Sequence, residues 1–190
     1  MSQQIRLFLA VHLPEQVKEA LLTAVTEIGQ AVPDKTVRWV KPTQMHLTLR
    51  FLGDTAVAQL PELQAQLTQL AAQYRPFKLR LNGVGAFSNR NRPRVVWAGL
   101  DGDLAVLQAM QMALEDVVVA LGWSREKRPF SPHITLGRVK DAKQAQHLNW
   151  AVQLPVLTLE IGEIYLVQSE LRPLGPLYTV RYRAKLGEVG

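Results

Sequence analysis

Two tetrapeptides in this sequence spell the same word: His46-Leu47-Thr48-Leu49 and His133-Ile134-Thr135-Leu136. They lie 87 residues apart, and a proline-containing segment leads into each: Lys41-Pro42-Thr43-Gln44-Met45 before the first, Phe130-Ser131-Pro132 before the second. Core packing gives no reason to repeat both a histidine and a threonine two positions on. In an extended strand, residues i and i+2 point the same way. Each segment therefore presents an imidazole and a hydroxyl on one face, while Leu47, Leu49, Ile134 and Leu136 enter the core from the other. An imidazole gains or loses its proton near neutral pH. Two of them facing across a cleft work as a pair, one taking a proton from an attacking group and the other protonating a departing oxygen. The neighbouring hydroxyls suit the non-bridging oxygens of a phosphoryl group. These are the parts needed for in-line displacement at phosphorus with no metal. A zinc site needs a third or fourth protein ligand, and neither segment contains a carboxylate.

Composition narrows the setting. The 190 residues are 47% hydrophobic and 20% charged, which reads as a globular chain able to bury its own core. Cysteine is absent, which excludes thiolate nucleophiles, disulfides and zinc–thiolate sites. The net charge of +6, from 22 basic and 16 acidic residues, favours a polyanionic partner. No apolar run is long enough to span a bilayer. Met1-Ser2-Gln3-Gln4 lacks the basic start of a signal peptide, so a cytoplasmic location is expected. No glycine-rich phosphate loop is present.

The elements that must position the two words follow from hydrophobic periodicity. A strand is expected over Ile5–Val11, then a helix carrying Val17, Leu21, Ala24, Val25 and Ile28 up to Pro33-Asp34. A short strand follows at Val37–Val40, and a half-buried one at the first word, ended by Gly53-Asp54. A second helix carries Leu60, Leu63, Leu67, Leu70 and Ala71. Phe77–Val84 and Arg94–Leu100 read as paired strands around the polar loop Ser88–Pro93. Asp103 and Gly122 bracket a long helix as its caps. A short helix near Ala142–Leu148 precedes strands at Val156–Ile161, Glu163–Ser169 and Leu177–Ala184, and a loose tail is expected from Lys185 to Gly190. No linker divides the halves. The expectation is one α+β domain over 1–190, two interleaved lobes about a pseudo-twofold axis, with two antiparallel sheets lining a central cleft and helices outside.

With these residues in view, the sequence resembles the 2H phosphoesterases, and most closely the RNA 2′,3′-cyclic phosphodiesterase (2′-5′ RNA ligase) group. The likeness spans nearly the whole chain: Arg6-Leu7-Phe8-Leu9-Ala10, Trp39-Val40, the first word extended to Arg50-Phe51-Leu52-Gly53, Arg94-Val95-Val96-Trp97, and Pro132 through Arg138. The resemblance implies hydrolysis of 2′,3′-cyclic phosphate ends to 2′-phosphates, or reversible 2′-5′ joining of tRNA halves. It implies His46 as general acid, His133 as general base, and Thr48, Thr135 and Arg138 on the phosphate, with Phe51 near the nucleobase. The expected partner is RNA or a nucleotide with a cyclic end, met by a monomer with no cofactor, metal or membrane. From a different class, an RNA-end-binding protein would use the same histidines only to hold phosphate.

Two details stay open at this level. Strict alternation turns positions i and i+5 to opposite faces, so Arg138 and Phe51 point away from the histidines five residues before them. A bulge at Gly137 re-aims Arg138, whereas Phe51 fits core packing as well as base stacking. The basic loops Ser88–Arg94 and Arg125–Arg128 offer a funnel for an RNA backbone. Trp39, Trp97, Trp123 and Trp150 read as packing residues, and His12 and His147 as surface or structural ones.

Overall fold

The computed structural model describes residues 3–173 and 175–187. In chain order they form β1 (Gln4–His12), α1 (Glu15–Gly29), β2 (Val37–Trp39), β3 (His46–Ala56), α2 (Leu60–Ala71), β4 (Phe77–Phe87), β5 (Val95–Gly102), α3 (Leu104–Ala120), β6 (Ile134–Val139), β7 (Thr158–Ile161), β8 (Glu163–Glu170) and β9 (Leu177–Lys185). The strands pair in the order β7-β4-β5-β6-β3-β1-β8-β9, all antiparallel, with β2 added along β6.

This order has a centre. On one side lie β3, β1, β8 and β9; on the other lie β6, β5, β4 and β7, in matching roles. The first word begins β3 and the second leads into β6, so the two histidines stand at the junction. The two sheets expected from sequence are joined there at one paired position, Leu47 with Ile134. The first lobe is not a contiguous piece of chain, because β8 and β9 return to it after β4–β7 have built the other.

Alternation places Leu7, Leu9 and Val11 of β1, Leu47 and Leu49 of β3, and Ile134 and Leu136 of β6 in one buried core. The helices meet it with apolar stripes at 3.6-residue spacing: Val17, Leu21, Ala24, Val25 and Ile28 on α1, Leu60, Leu63, Leu67, Leu70 and Ala71 on α2, and Leu107, Met110, Leu114 and Val118 on α3. Each large side chain so buried contributes about 1.5–3 kcal/mol. Helix α2 rests on β9, where Thr68 Oγ1 meets the Tyr182 hydroxyl at 2.6 Å.

Gly122 ends α3 as expected. With φ +103° it lets its own N–H reach the Val119 carbonyl and that of Trp123 the Val118 carbonyl, a Schellman closure. Asp103 does not cap with its side chain. Its carboxylate instead accepts the Lys78 N–H at 2.9 Å and ties the helix start to β4.

Other boundaries shift. β3 continues through Gly53-Asp54 to Ala56, with Gly53 taking φ +70° within the strand. The segment near Ala142–Leu148 makes only a 3₁₀ turn, Gln144–His147, and the strand expected from Val156 begins at Thr158. Of the tail expected to be loose, Leu186 is buried and its N–H bonds Gly162, while Gly187 N–H is shared between Ala71 and Tyr74 carbonyls. Residues 188–190 lie outside the described residues. No helix among the described residues is long and apolar enough to cross a membrane.

Candidate active site

The register around the two words settles which side chains share a face. Between β1 and β3, Leu9 matches Arg50 and Ala10 matches Thr48, so Leu49 has no partner. Between β5 and β6, Val96 matches Gly137 and Trp97 matches Thr135, so Leu136 has none. Leu49 and Leu136 are the last letters of the two words. Each lobe thus carries a bulge at the same place, and an extra residue reverses the facing of the residues that follow it, on β3 until a further bulge at Leu52. Phe51 and Arg138 return to the side of His46, Thr48 and Thr135, against strict alternation. Phe51 is 58% exposed, which excludes core packing.

A bulge leaves ladder carbonyls to be satisfied elsewhere. On β3, Gln111 Nε2 of α3 donates to Leu49 O at 3.4 Å, Trp123 Nε1 donates to Leu52 O at 3.1 Å, and Arg50 Nη1 donates to Phe51 O. Arg50 itself turns to the core side. There it forms a buried ion pair with Glu115 of α3 and donates Nη2 to Ser124 O, while Glu115 also accepts the Glu126 N–H at 2.7 Å. The same position on β6 is Gly137. The Val37 and Trp39 side chains lie directly over it, and a Cβ there would stand 2.5 Å from Val37 Cγ1.

The two imidazoles are held alike. His46 Nδ1 lies 2.7 Å from Gln44 O and His133 Nδ1 lies 2.7 Å from Ser131 O, in both cases the carbonyl two residues earlier. A carbonyl only accepts, so each Nδ1 carries the proton and Nε2 is left for other work. The proline-containing lead-ins supply these carbonyls. Packing then separates the pair. His46 is enclosed by Phe8, with ring centroids 4.8 Å apart, and by Tyr178 edge-on at 5.4 Å. Burial first, then the charges of His12 and His133, bring its pKa down to about 4 against the pull of the Gln44 bond. His133 meets Phe87 edge-on at 4.7 Å, and burial followed by the Arg138 charge lowers its pKa as well.

A cavity of about 310 Å³ opens between the lobes, lined by His46, Thr48 and Phe51 from β3, Thr135 and Arg138 from β6, and Arg38, Trp39, Gln44 and Tyr178 among others. Five of the six site residues expected from sequence meet there. His133 does not line the cavity; it stands one residue before β6, near enough for its charge to act on His46. Sequence reasoning missed Tyr178, Phe8 and Gln44. Gln44 holds His46 through its main chain and Pro176 O through its side chain, at 2.6 Å. His12, expected to be a surface or structural residue, pairs directly with His46 across β1 and β3. Only the register reveals Phe8, His12 and Tyr178, since they come from strands far from β3 in sequence.

The basic loops serve structure in part. Arg90 donates to Val84 O at 3.0 Å and lies over the Trp150 ring, and Arg125 pairs with Asp116 at 2.7 Å. Among the described residues no three His, Asp or Glu side chains gather as a metal-ligand set.

The model of the LigT-like phosphoesterase family matches residues 11–97 and 102–178, and so takes in both words. The chain belongs to this family. The RNA 2′,3′-cyclic phosphodiesterase of Thermus thermophilus is 38% identical over 195 residues, covering 98% of this chain and 93% of the relative. A crystal structure from the same organism superposes with a TM-score of 0.79 at 35% identity, covering 96% of this chain and 98% of the other. Escherichia coli LigT, solved in complex with 3′-AMP, gives a TM-score of 0.73 at 27% identity, covering 97% and 99% of the two chains. As a LigT-like phosphoesterase, the chain has the α+β fold expected from its sequence.

Proposed function

We propose that this LigT-like phosphoesterase hydrolyses the 2′,3′-cyclic phosphate ends of RNA or nucleotides to 2′-phosphates, with His46 and His133 as its acid–base pair. The observation that supports this best is the pair of imidazoles at the starts of two adjacent strands, each tethered through Nδ1, with Thr48, Thr135 and Arg138 on the face they share. A water oxygen attacks phosphorus as His133 Nε2 takes its proton. The P–O3′ bond breaks as His46 Nε2 gives a proton to O3′, and a 2′-phosphate and a 3′-hydroxyl remain. The Arg138 charge beside His133 favours the neutral imidazole that a base needs. His46 acquires its proton when the anionic phosphodiester docks beside it, because that charge favours the imidazolium. The threonine hydroxyls and the Arg138 guanidinium hold the non-bridging oxygens, and exposed Phe51 offers its ring to the base.

The test is incubation with a nucleoside 2′,3′-cyclic phosphate in the presence of EDTA. A 2′-phosphate product is expected. A 3′-phosphate product, loss of activity in EDTA, or no turnover between pH 4 and 8 would each overturn the reading.

A further inference from the structure

The concave face of the first lobe extends well beyond the two words. The register carries it across three further strands: His46 faces His12, Thr48 faces Ala10 and then Tyr165 and Arg183, and Phe51 faces Phe8, Val167 and Val180. Behind His46 a second cavity of about 170 Å³ is lined by Phe8, His12, Lys18, Thr43, Val167 and Tyr178 among others, and no carboxylate lines it. It shares His46 and Tyr178 with the main cavity, so the two adjoin. His12 stacks on Tyr165 at 3.9 Å, and the Arg183 guanidinium lies over the other ring of that stack, 5.6 Å from its centroid. Two carboxylates stand nearby, Glu15 on the Lys18 ammonium at 3.1 Å and Glu163 on the Tyr165 hydroxyl. Both are engaged outside the cavity lining.

We infer that this shelf is the subsite for the phosphodiester on the 5′ side of the terminal nucleotide, held by Lys18 with Arg183 and the His12 imidazole. The inference rests on the phosphodiesterase reading. A chain that ends in a 2′,3′-cyclic phosphate continues only from its 5′ oxygen, so a contiguous basic and aromatic surface has one nucleic-acid occupant to serve. Cations beside stacked rings are how single strands are held without regard to sequence. In the other lobe Trp97 fills the floor instead: a Cβ on Gly85 would stand 2.3 Å from its ring.

The consequence is selectivity for RNA ends over free cyclic nucleotides. A dinucleotide ending in a 2′,3′-cyclic phosphate should exceed the cyclic mononucleotide in kcat/KM by about tenfold, the scale of one charge-assisted phosphate contact. Lys18→Gln should remove most of that ratio, Arg183→Gln part of it, and rising salt should erode it. Replacing the internal phosphodiester by an uncharged methylphosphonate should abolish the advantage in the native protein and cost only the small remainder in Lys18→Gln. Equal constants for mononucleotide and dinucleotide, or a methylphosphonate that behaves like the phosphodiester, would overturn the subsite and leave the reaction standing. No turnover of either substrate would overturn both.

Discussion

The strands β3 and β6 carry the same word, the same tethered imidazole and the same bulge, and they diverge immediately after it. Four residues past the histidine stands Arg50 on one strand and Gly137 on the other; five past stands Phe51 or Arg138. Sizes also trade across the neighbouring strands. Ala10 beside Tyr165 in the first lobe answers Trp97 beside Gly85 in the second. What is shared fixes where reacting groups stand, and what differs decides what is presented to them. One lobe offers an aromatic ring and open floor, the other a guanidinium and a filled wall. In the proposed mechanism the symmetry supplies two proton carriers, and the asymmetry gives each its task.

Breaking the shared part should cost most. His46→Ala and His133→Ala should each lower kcat on a cyclic nucleotide by about 10²–10⁴-fold, the usual worth of one positioned acid or base. Their proposed roles separate on a diester whose leaving group is nitrophenolate, which departs without a proton. Such a substrate should restore turnover to His46→Ala and leave His133→Ala inactive. The opposite pattern would exchange the two roles.

The divergent positions should report on stability. Arg50→Met leaves Glu115 buried without its partner and frees the Phe51 and Ser124 carbonyls, a loss of about 3–5 kcal/mol in denaturant unfolding. Gly137→Ala drives a methyl into Val37 and Trp39 and should cost about 1–3 kcal/mol. An Arg50 variant that unfolded like the native protein would show that the bulge stands without its ion pair.

The words themselves were legible in the sequence because they occur twice, and the helical stripes were legible because burial imposes a 3.6-residue period. The bulge after each word was not. Gly137 hinted at one, but on β3 the equivalent residue is Arg50, which looks like a surface charge and is buried on an acid supplied by α3, 65 residues away. The same holds for His12. It reads as a surface or structural histidine until the pairing of β1 with β3 sets it opposite His46. Side-chain facing after a bulge and contacts between distant strands depend on register, and register is decided by the whole sheet.

The smallest effect sharpens the comparison furthest, because it concerns protons alone. With one imidazole charged and one neutral, kcat/KM follows a bell whose limbs are the two pKa values of the free protein. Both lie below the ordinary 6.5, the lower at about 4 on His46, so the maximum should fall on the acid side of pH 6.5. Activity is lost below the lower limb as the base gains a proton, and above the upper limb as the last imidazolium disappears. The Arg138 charge helps hold the His133 value down. Arg138→Ala should therefore weaken phosphate binding and also move the alkaline limb to higher pH, while the acid limb at His46 stays in place. A shift of the acid limb alone would mean that Arg138 acts on the imidazole of the other lobe. The pairing of each charge with its own motif would then have to be redrawn.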